Sequence, residues 1–226
     1  MNHMTLQDGF FIIDKPQGIT SFGVIARLRK IFNVRKIGHA GTLDPLATGI
    51  LVVAVGKATK QLKNYVGLDK EYEAEMKFGW VSDTDDSTGK LVERECKVFS
   101  IEQLEKVLMS FVGDIEQIPP QFSALKVAGQ RAYKLARKGQ KVELKPRKVH
   151  IYTLELLDFS WPFARIRVSC STGTYIRALI RDIGSHIGCG AVMTALRRTK
   201  VGEYTLDQAV SLDKVDNGFI YSVIDI

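Results

Sequence analysis

Residues 38–49, Gly-His-Ala-Gly-Thr-Leu-Asp-Pro-Leu-Ala-Thr-Gly, set a single carboxylate, Asp44, in a glycine-bounded loop. The longest apolar run of the chain, Ile50 to Val55, follows directly. A short continuous apolar run reads as a buried strand, so the fold must enclose this strand and hold the loop at its start. Pro45 biases Asp44 toward an extended backbone, while Gly38, Gly41 and Gly49 can take positive φ or let a ligand approach the main chain. A chain exposes one reactive acid in this way. The alternative is a structural turn that Asp44 merely caps.

A fold that encloses such a strand needs a sizeable core, and 226 residues supply one for one large or two small domains. Lysine and arginine total 32 against 25 acids, a net charge of +7 and a pI near 9.3. That balance favours a polyanionic partner but also fits ordinary solubility charge. Three cysteines, Cys96, Cys170 and Cys189, without C-x-x-C spacing favour a reducing, cytoplasmic setting. His3, His39, His150 and His186 are scattered, with no metal-ligand spacing, so no metal is expected. No apolar run is long enough to span a bilayer.

Periodicity predicts a strand over Phe10 to Asp14 and an amphipathic helix over Ser21 to Phe32 with Thr20 or Ser21 as its cap. A second helix is predicted over Lys57 to Val66. Alternation over Lys70 to Phe78 predicts a strand with Tyr72, Ala74, Met76 and Phe78 on one side. Ser100 to Phe111 reads as a capped surface helix and Gln130 to Lys138 as a short basic one. Val149 to Phe159 and Ala164 to Cys170 read as strands joined at Trp161-Pro162, and Thr174 to Ile187 as a helix stopped by Gly188. Strands mixed with helices in this order indicate an α+β class.

Five segments together carry a resemblance. They are Phe11 to Ser21 with its Lys15-Pro16 turn, the Gly38 to Gly49 loop, and Lys70-Glu71-Tyr72 through Asp86. The fourth runs from Pro119 through Arg137, and the last comprises Cys170 to Arg177 with Leu196-Arg197-Arg198. In this order they resemble the TruB family of tRNA pseudouridine synthases, from residue 11 to about residue 205. The resemblance implies a pseudouridine synthase catalytic fold, a central mixed, largely antiparallel sheet flanked by helices with an RNA-binding cleft. It implies one catalytic domain over 1–226, in two structural halves with a boundary expected near 95–115. Many relatives continue into a C-terminal RNA-binding domain of the PUA type, and this chain is expected to lack one.

The reaction so implied breaks the glycosidic bond of a T-loop uridine, position 55 of tRNA, turns the base and rejoins it through C5. It needs no cofactor, because no redox step or group donor enters. It needs a carboxylate near C1′, a pocket for the detached uracil and a base for C5. The resemblance gives Asp44 the first task, as nucleophile on the sugar or as base at C2′, and both routes stay open. Arg177 is the expected partner that orients Asp44, and Tyr72 the ring on which the extruded base stacks. Tyr175 and Leu196 are carried over as walls of the uracil pocket. Lys15 is expected to support the loop or touch substrate, and His39 to fill the space vacated by the flipped base.

Lys60, Lys63, Lys126, Arg131, Arg197 and Arg198 are the expected contacts to RNA phosphates. Each residue has a plainer reading: a core tyrosine or leucine, a surface ion pair, a structural histidine, a solvated helix face. The expected partner is the tRNA T stem-loop, met by a monomer with no obligatory protein partner and no membrane. One rival is a tRNA-binding folding chaperone without essential catalysis. The other is a carboxylate glycosidase, which requires a second facing acid that the sequence does not offer Asp44.

Overall fold

The computed structural model describes residues 8–123, 125–127, 129–140 and 142–216. The chain opens with β1 (Gly9–Lys15), α1 (Ser21–Phe32), β2 (Ile37–Ala40) and β3 (Thr48–Val55). A 3-10 turn (Gly56–Gln61) leads into α2 (Leu62–Val66), then β4 (Lys70–Phe78), β5 (Trp80–Ser82), β6 (Leu91–Glu93) and α3 (Ile101–Met109). Next come β7 (Gly113–Gln117), β8 (Lys126–Val127), β9 (Gln130–Arg131), α4 (Ala132–Ala136), β10 (Arg147–Ser160) and β11 (Phe163–Cys170). The chain continues through α5 (Ile176–Ile187), β12 (Ala191–Val201), β13 (Tyr204–Thr205), β14 (Val210–Ser211) and α6 (Leu212–Asp216). The class is α+β, as alternation and helical spacing predict.

Among these residues the chain forms two compact units, 8–72 with 196–216, and 73–195. The division therefore falls inside β4 and β12 rather than near 95–115. Sequence reading looks for a linker between halves, whereas here two strands carry the chain from one unit to the other.

In the first unit the strand order is β14-β1-β3-β12, with β2 on β3 and β13 on β12. β1 and β3 pair antiparallel from Gly9↔Val55 to Lys15↔Gly49, while β14 on β1 and β12 on β3 are parallel. Covered on both faces, β3 reads as a continuous apolar run instead of alternating. Leu51, Val53 and Val55 pack with Phe11, Ile13 and the Val24, Ile25 and Leu28 stripe of α1. Ile50, Val52 and Ala54 pack on the other side with Phe10, Ile12, Ala58 and Val201. Thr20 caps α1 by accepting from the Gly23 amide at 2.8 Å, and Asn33 ends it in the left-handed region at φ 51°.

In the second unit the order is β4-β11-β10-β7, with β5/β6 and β8/β9 as separate two-stranded ribbons. β4 alternates buried and half-buried along its length, with Tyr72, Ala74, Met76 and Phe78 inward. β10 and β11 form the predicted hairpin, turned at a cis Trp161-Pro162 bond. α3 carries a full capping box of Ser100 and Gln103 and buries Leu104 and Leu108. α5 buries Ile176, Leu179, Ile180 and Ile183 and stops at Gly188 in the left-handed region.

Three expectations are corrected. The helix predicted over Lys57 to Val66 is a 3-10 turn followed by one short helix. The basic helix predicted over Gln130 to Lys138 gives its first two residues to β9 and shrinks to Ala132–Ala136. Finally, an odd cysteine count without paired spacing hides a disulfide, Cys96–Cys189, with Cα atoms 4.8 Å apart. Positive-φ glycines at 188 and 190 fold the end of α5 back, and the Gly79 amide then donates to Gly190 and the Arg94 amide to Gly79. Cys170 is buried and stands outside the bridge.

Candidate active site

The first unit builds one cluster. The loop over 41–47 joins β2 to β3 and carries Asp44, half-buried between buried Leu43 and exposed Pro45. Its backbone is tied down residue by residue. The Ser21 hydroxyl accepts from the Leu43 amide at 2.8 Å and donates to the Leu43 carbonyl at 3.0 Å. The Gly18 amide donates to the Pro45 carbonyl at 2.8 Å, and the Ala47 amide to the Asp44 carbonyl at 3.1 Å. At the loop's end Gly49 has φ 98°, and a Cβ there would lie 2.2 Å from the Arg198 carbonyl oxygen, so only glycine fits.

Lys15 and Arg198 lie beneath this loop. Lys15 is fully buried at the end of β1, and its ammonium donates to the Pro16 carbonyl at 2.8 Å and the Ile19 carbonyl at 2.7 Å. Desolvation lowers its pKa to about 8; the nearby Asp44 charge pulls upward against that, and Arg198 adds to the lowering. Arg198 is 1 % exposed, its guanidinium donating to the Ile50 carbonyl at 2.8 Å and the Gly41 carbonyl at 3.1 Å. His39 sits on β2 opposite Val53. Its Nδ1 is buried with no hydrogen-bond partner among the described residues, and burial, then the Arg198 charge, lowers its pKa and favours the neutral ring.

Two assignments change with this geometry. Arg198 cannot be a phosphate contact, because the inward face of β12 turns its guanidinium into the protein. Lys15 cannot be a surface contact to substrate either, since its ammonium is spent on the turn that braces the loop. Arg197, pointing the other way, makes a two-pronged pair with Asp14 at 2.8 and 3.3 Å and keeps 40 % of its side chain exposed. Lys60, Lys63 and Arg131 are exposed; the Lys126 side chain lies outside the described residues. Tyr72 and Leu196 are buried to 8 and 9 % exposure, and the Leu196 carbonyl accepts from the Thr48 hydroxyl.

The second unit holds the other expected residues. Arg177, 5 % exposed in the first turn of α5, donates to the Thr84 carbonyl at 2.8 Å and the Phe122 carbonyl at 3.0 Å. Its Nε lies 3.8 Å from Asp86. Asp86 in turn accepts from the Thr84 hydroxyl and from both the amide and the hydroxyl of Thr88. Asp85, in the left-handed region at φ 62°, pairs with Arg181 at 2.9 Å. Its burial raises its pKa despite that pair. The Gln117 amide group clamps the main chain of Tyr175, donating to its carbonyl and accepting from its amide. The sequence carries residues 83–86 only as the end of the third resembling segment, and nothing local in it signals the Asp86 contact to Arg177 or the Gln117 clamp. Among the described residues no cluster of three or more His, Cys, Asp or Glu gathers, and no helix is long and apolar enough to cross a membrane.

Residues 29–176 match the sequence profile described as "TruB family pseudouridylate synthase (N terminal domain)", and residues 177–222 match "tRNA pseudouridylate synthase B C-terminal domain". The chain belongs to the TruB family. Proteins named tRNA pseudouridine synthase B share 46 % identity over 210 residues in Francisella philomiragia and 45 % over 223 in Thermobifida fusca. The alignments cover 92 and 93 % of this chain and 70 and 75 % of those proteins. Among solved structures, a Cbf5-Nop10-Gar1 complex matches at TM-score 0.73 and 32 % identity, covering 95 % of this chain. An H/ACA RNP bound to a substrate RNA containing 2′-deoxyuridine matches at 0.71 and 30 %, also over 95 %. This chain spans just over half the length of those two solved chains. The α+β fold of this TruB-family chain is therefore that of its relatives.

Proposed function

We propose that this TruB-family chain isomerises the T-loop uridine at position 55 of tRNA to pseudouridine, with Asp44 as the catalytic carboxylate. The observation that supports this most is the Asp44 loop itself, a half-buried acid on a backbone fixed at Leu43, Pro45 and Gly49. A reacting group must be held within a fraction of an ångström of its place, and such bracing serves that need. In this reading the target uridine leaves its stack, His39 occupies the vacated space and the base meets the ring of Tyr72. Asp44 acts at the sugar and Leu196 holds the detached uracil, while the roles of Arg177 and Tyr175 are those the resemblance implies. A neutral His39 suits that task, because inserting a charged ring among stacked bases costs desolvation.

Lys60, Lys63, Arg131 and Arg197 supply affinity for the phosphates without reading sequence. The enzyme works in the cytoplasm as a monomer, without cofactor, metal or obligatory protein partner. The test is tritium release from a tRNA transcript labelled at uridine C5, with the wild type and Asp44→Asn compared and no cofactor or metal added. Release by the wild type alone is the expected result. Retained tRNA binding with no release by either protein would instead favour the folding chaperone.

A further inference from the structure

Among the described residues Arg198 is the largest fully enclosed side chain, and a guanidinium is kept out of water only where its donors are met. It lies on β12, whose backbone runs parallel to the start of β3 with Arg198 opposite Gly49. Its Nε–H donates to the Ile50 carbonyl and its Nη2–H to the Gly41 carbonyl. Gly41 is where the chain leaves β2 and Ile50 follows the return into β3, so one residue touches both ends of the loop that carries Asp44. The fit is close on both sides. A Cβ on Gly49 would strike the Arg198 carbonyl, and one on Gly41 would come within 3.3 Å of Nη1.

We propose that Arg198 is a positioning residue for the isomerisation, a two-ended grip that sets where the Asp44 carboxylate stands. This rests on the reading of Asp44 as the catalytic acid. The planar guanidinium suits the task because its donors point in fixed directions and can hold two separate carbonyls at once. An ammonium on a flexible stem keeps the charge but not that geometry. The charged and titratable groups about the grip are Lys15, Asp44 and His39; Lys15 and His39 both feel the Arg198 charge, and Lys15 also feels that of Asp44. Arg198 thus acts on the loop's shape and its local potential without touching RNA.

The experiment compares wild type, Arg198→Lys and Arg198→Gln by steady-state tritium release, tRNA binding and amide hydrogen exchange. For Arg198→Lys, kcat is expected to fall on the order of 100-fold, as a misplaced reacting group does. KM and the salt dependence of tRNA binding should stay within about twofold of wild type, and faster exchange should be confined to residues 41–50. A lysine variant with wild-type kcat would overturn the grip, since charge alone would then suffice. Lost tRNA affinity with unchanged kcat would also overturn it, returning Arg198 to the phosphate contacts. If Arg198→Gln fails to fold, the charge-keeping lysine variant still decides. A wild type with no release, alongside loosening confined to 41–50 in Arg198→Lys, would support the grip and count against the catalytic reading.

Discussion

Desolvated by burial, the Lys15 ammonium titrates near 8 instead of 10.5, the Asp44 charge only partly offsetting that loss of water. Between those values the unfolded chain holds a proton there that the folded chain lacks. Stability rises with pH wherever the unfolded state binds more protons, so this group adds stability as pH climbs from about 8 to 10.5 and is a constant burden below that window. Lys15→Met should abolish that part of the rise, read as a difference in unfolding free energy between the two proteins from pH 7 to 10. Asp44→Asn is a different kind of change: the fold and tRNA binding are expected to survive while tritium release disappears. Arg197 and Arg198 show what residue types alone leave hidden. Both read as basic surface, yet alternation along β12 pairs one with Asp14 at the surface and buries the other beneath the loop.

Elements with their own punctuation were readable, and elements defined by what they touch were not. Ser21 to Phe32 is recovered to the residue because a capping hydroxyl at Thr20 or Ser21 and an apolar stripe are both local signals. Residues 191–201, Ala-Val-Met-Thr-Ala-Leu-Arg-Arg-Thr-Lys-Val, go unpredicted because buried charge and threonine break the apolar signal of a central strand. The Asp44 loop was visible in sequence, but its Ser21 clamp, 22 residues away along the chain, was not. Thr20→Ala removes only the cap of α1 and should cost about 1 kcal/mol. Gly49→Ala meets both a left-handed backbone and a clash with Arg198, and should cost at least about 2 kcal/mol. Denaturant midpoints separate the two, and a Gly49→Ala protein as stable as Thr20→Ala would contradict the close fit drawn here.

At the scale of the whole molecule, a net charge of +7 makes tRNA binding a counterion-release process. Affinity should fall linearly with salt on logarithmic axes, and Lys60→Ala and Lys63→Ala should each flatten the slope by about one unit. An unchanged slope in either variant would remove that lysine from the phosphate contacts. Sequence reading expects two halves but not where they divide, because residues 196–216 return to pack with 8–72, a long-range pairing that no local pattern encodes. The Cys96–Cys189 bridge, whose ends are 93 positions apart in sequence, gives the oxidised chain a further property. Covalently it is a ring with two tails. A protease that nicks the exposed stretch at Arg137 or Lys138 opens that ring without parting the molecule, so the fragments migrate together on a gel until a reductant separates them.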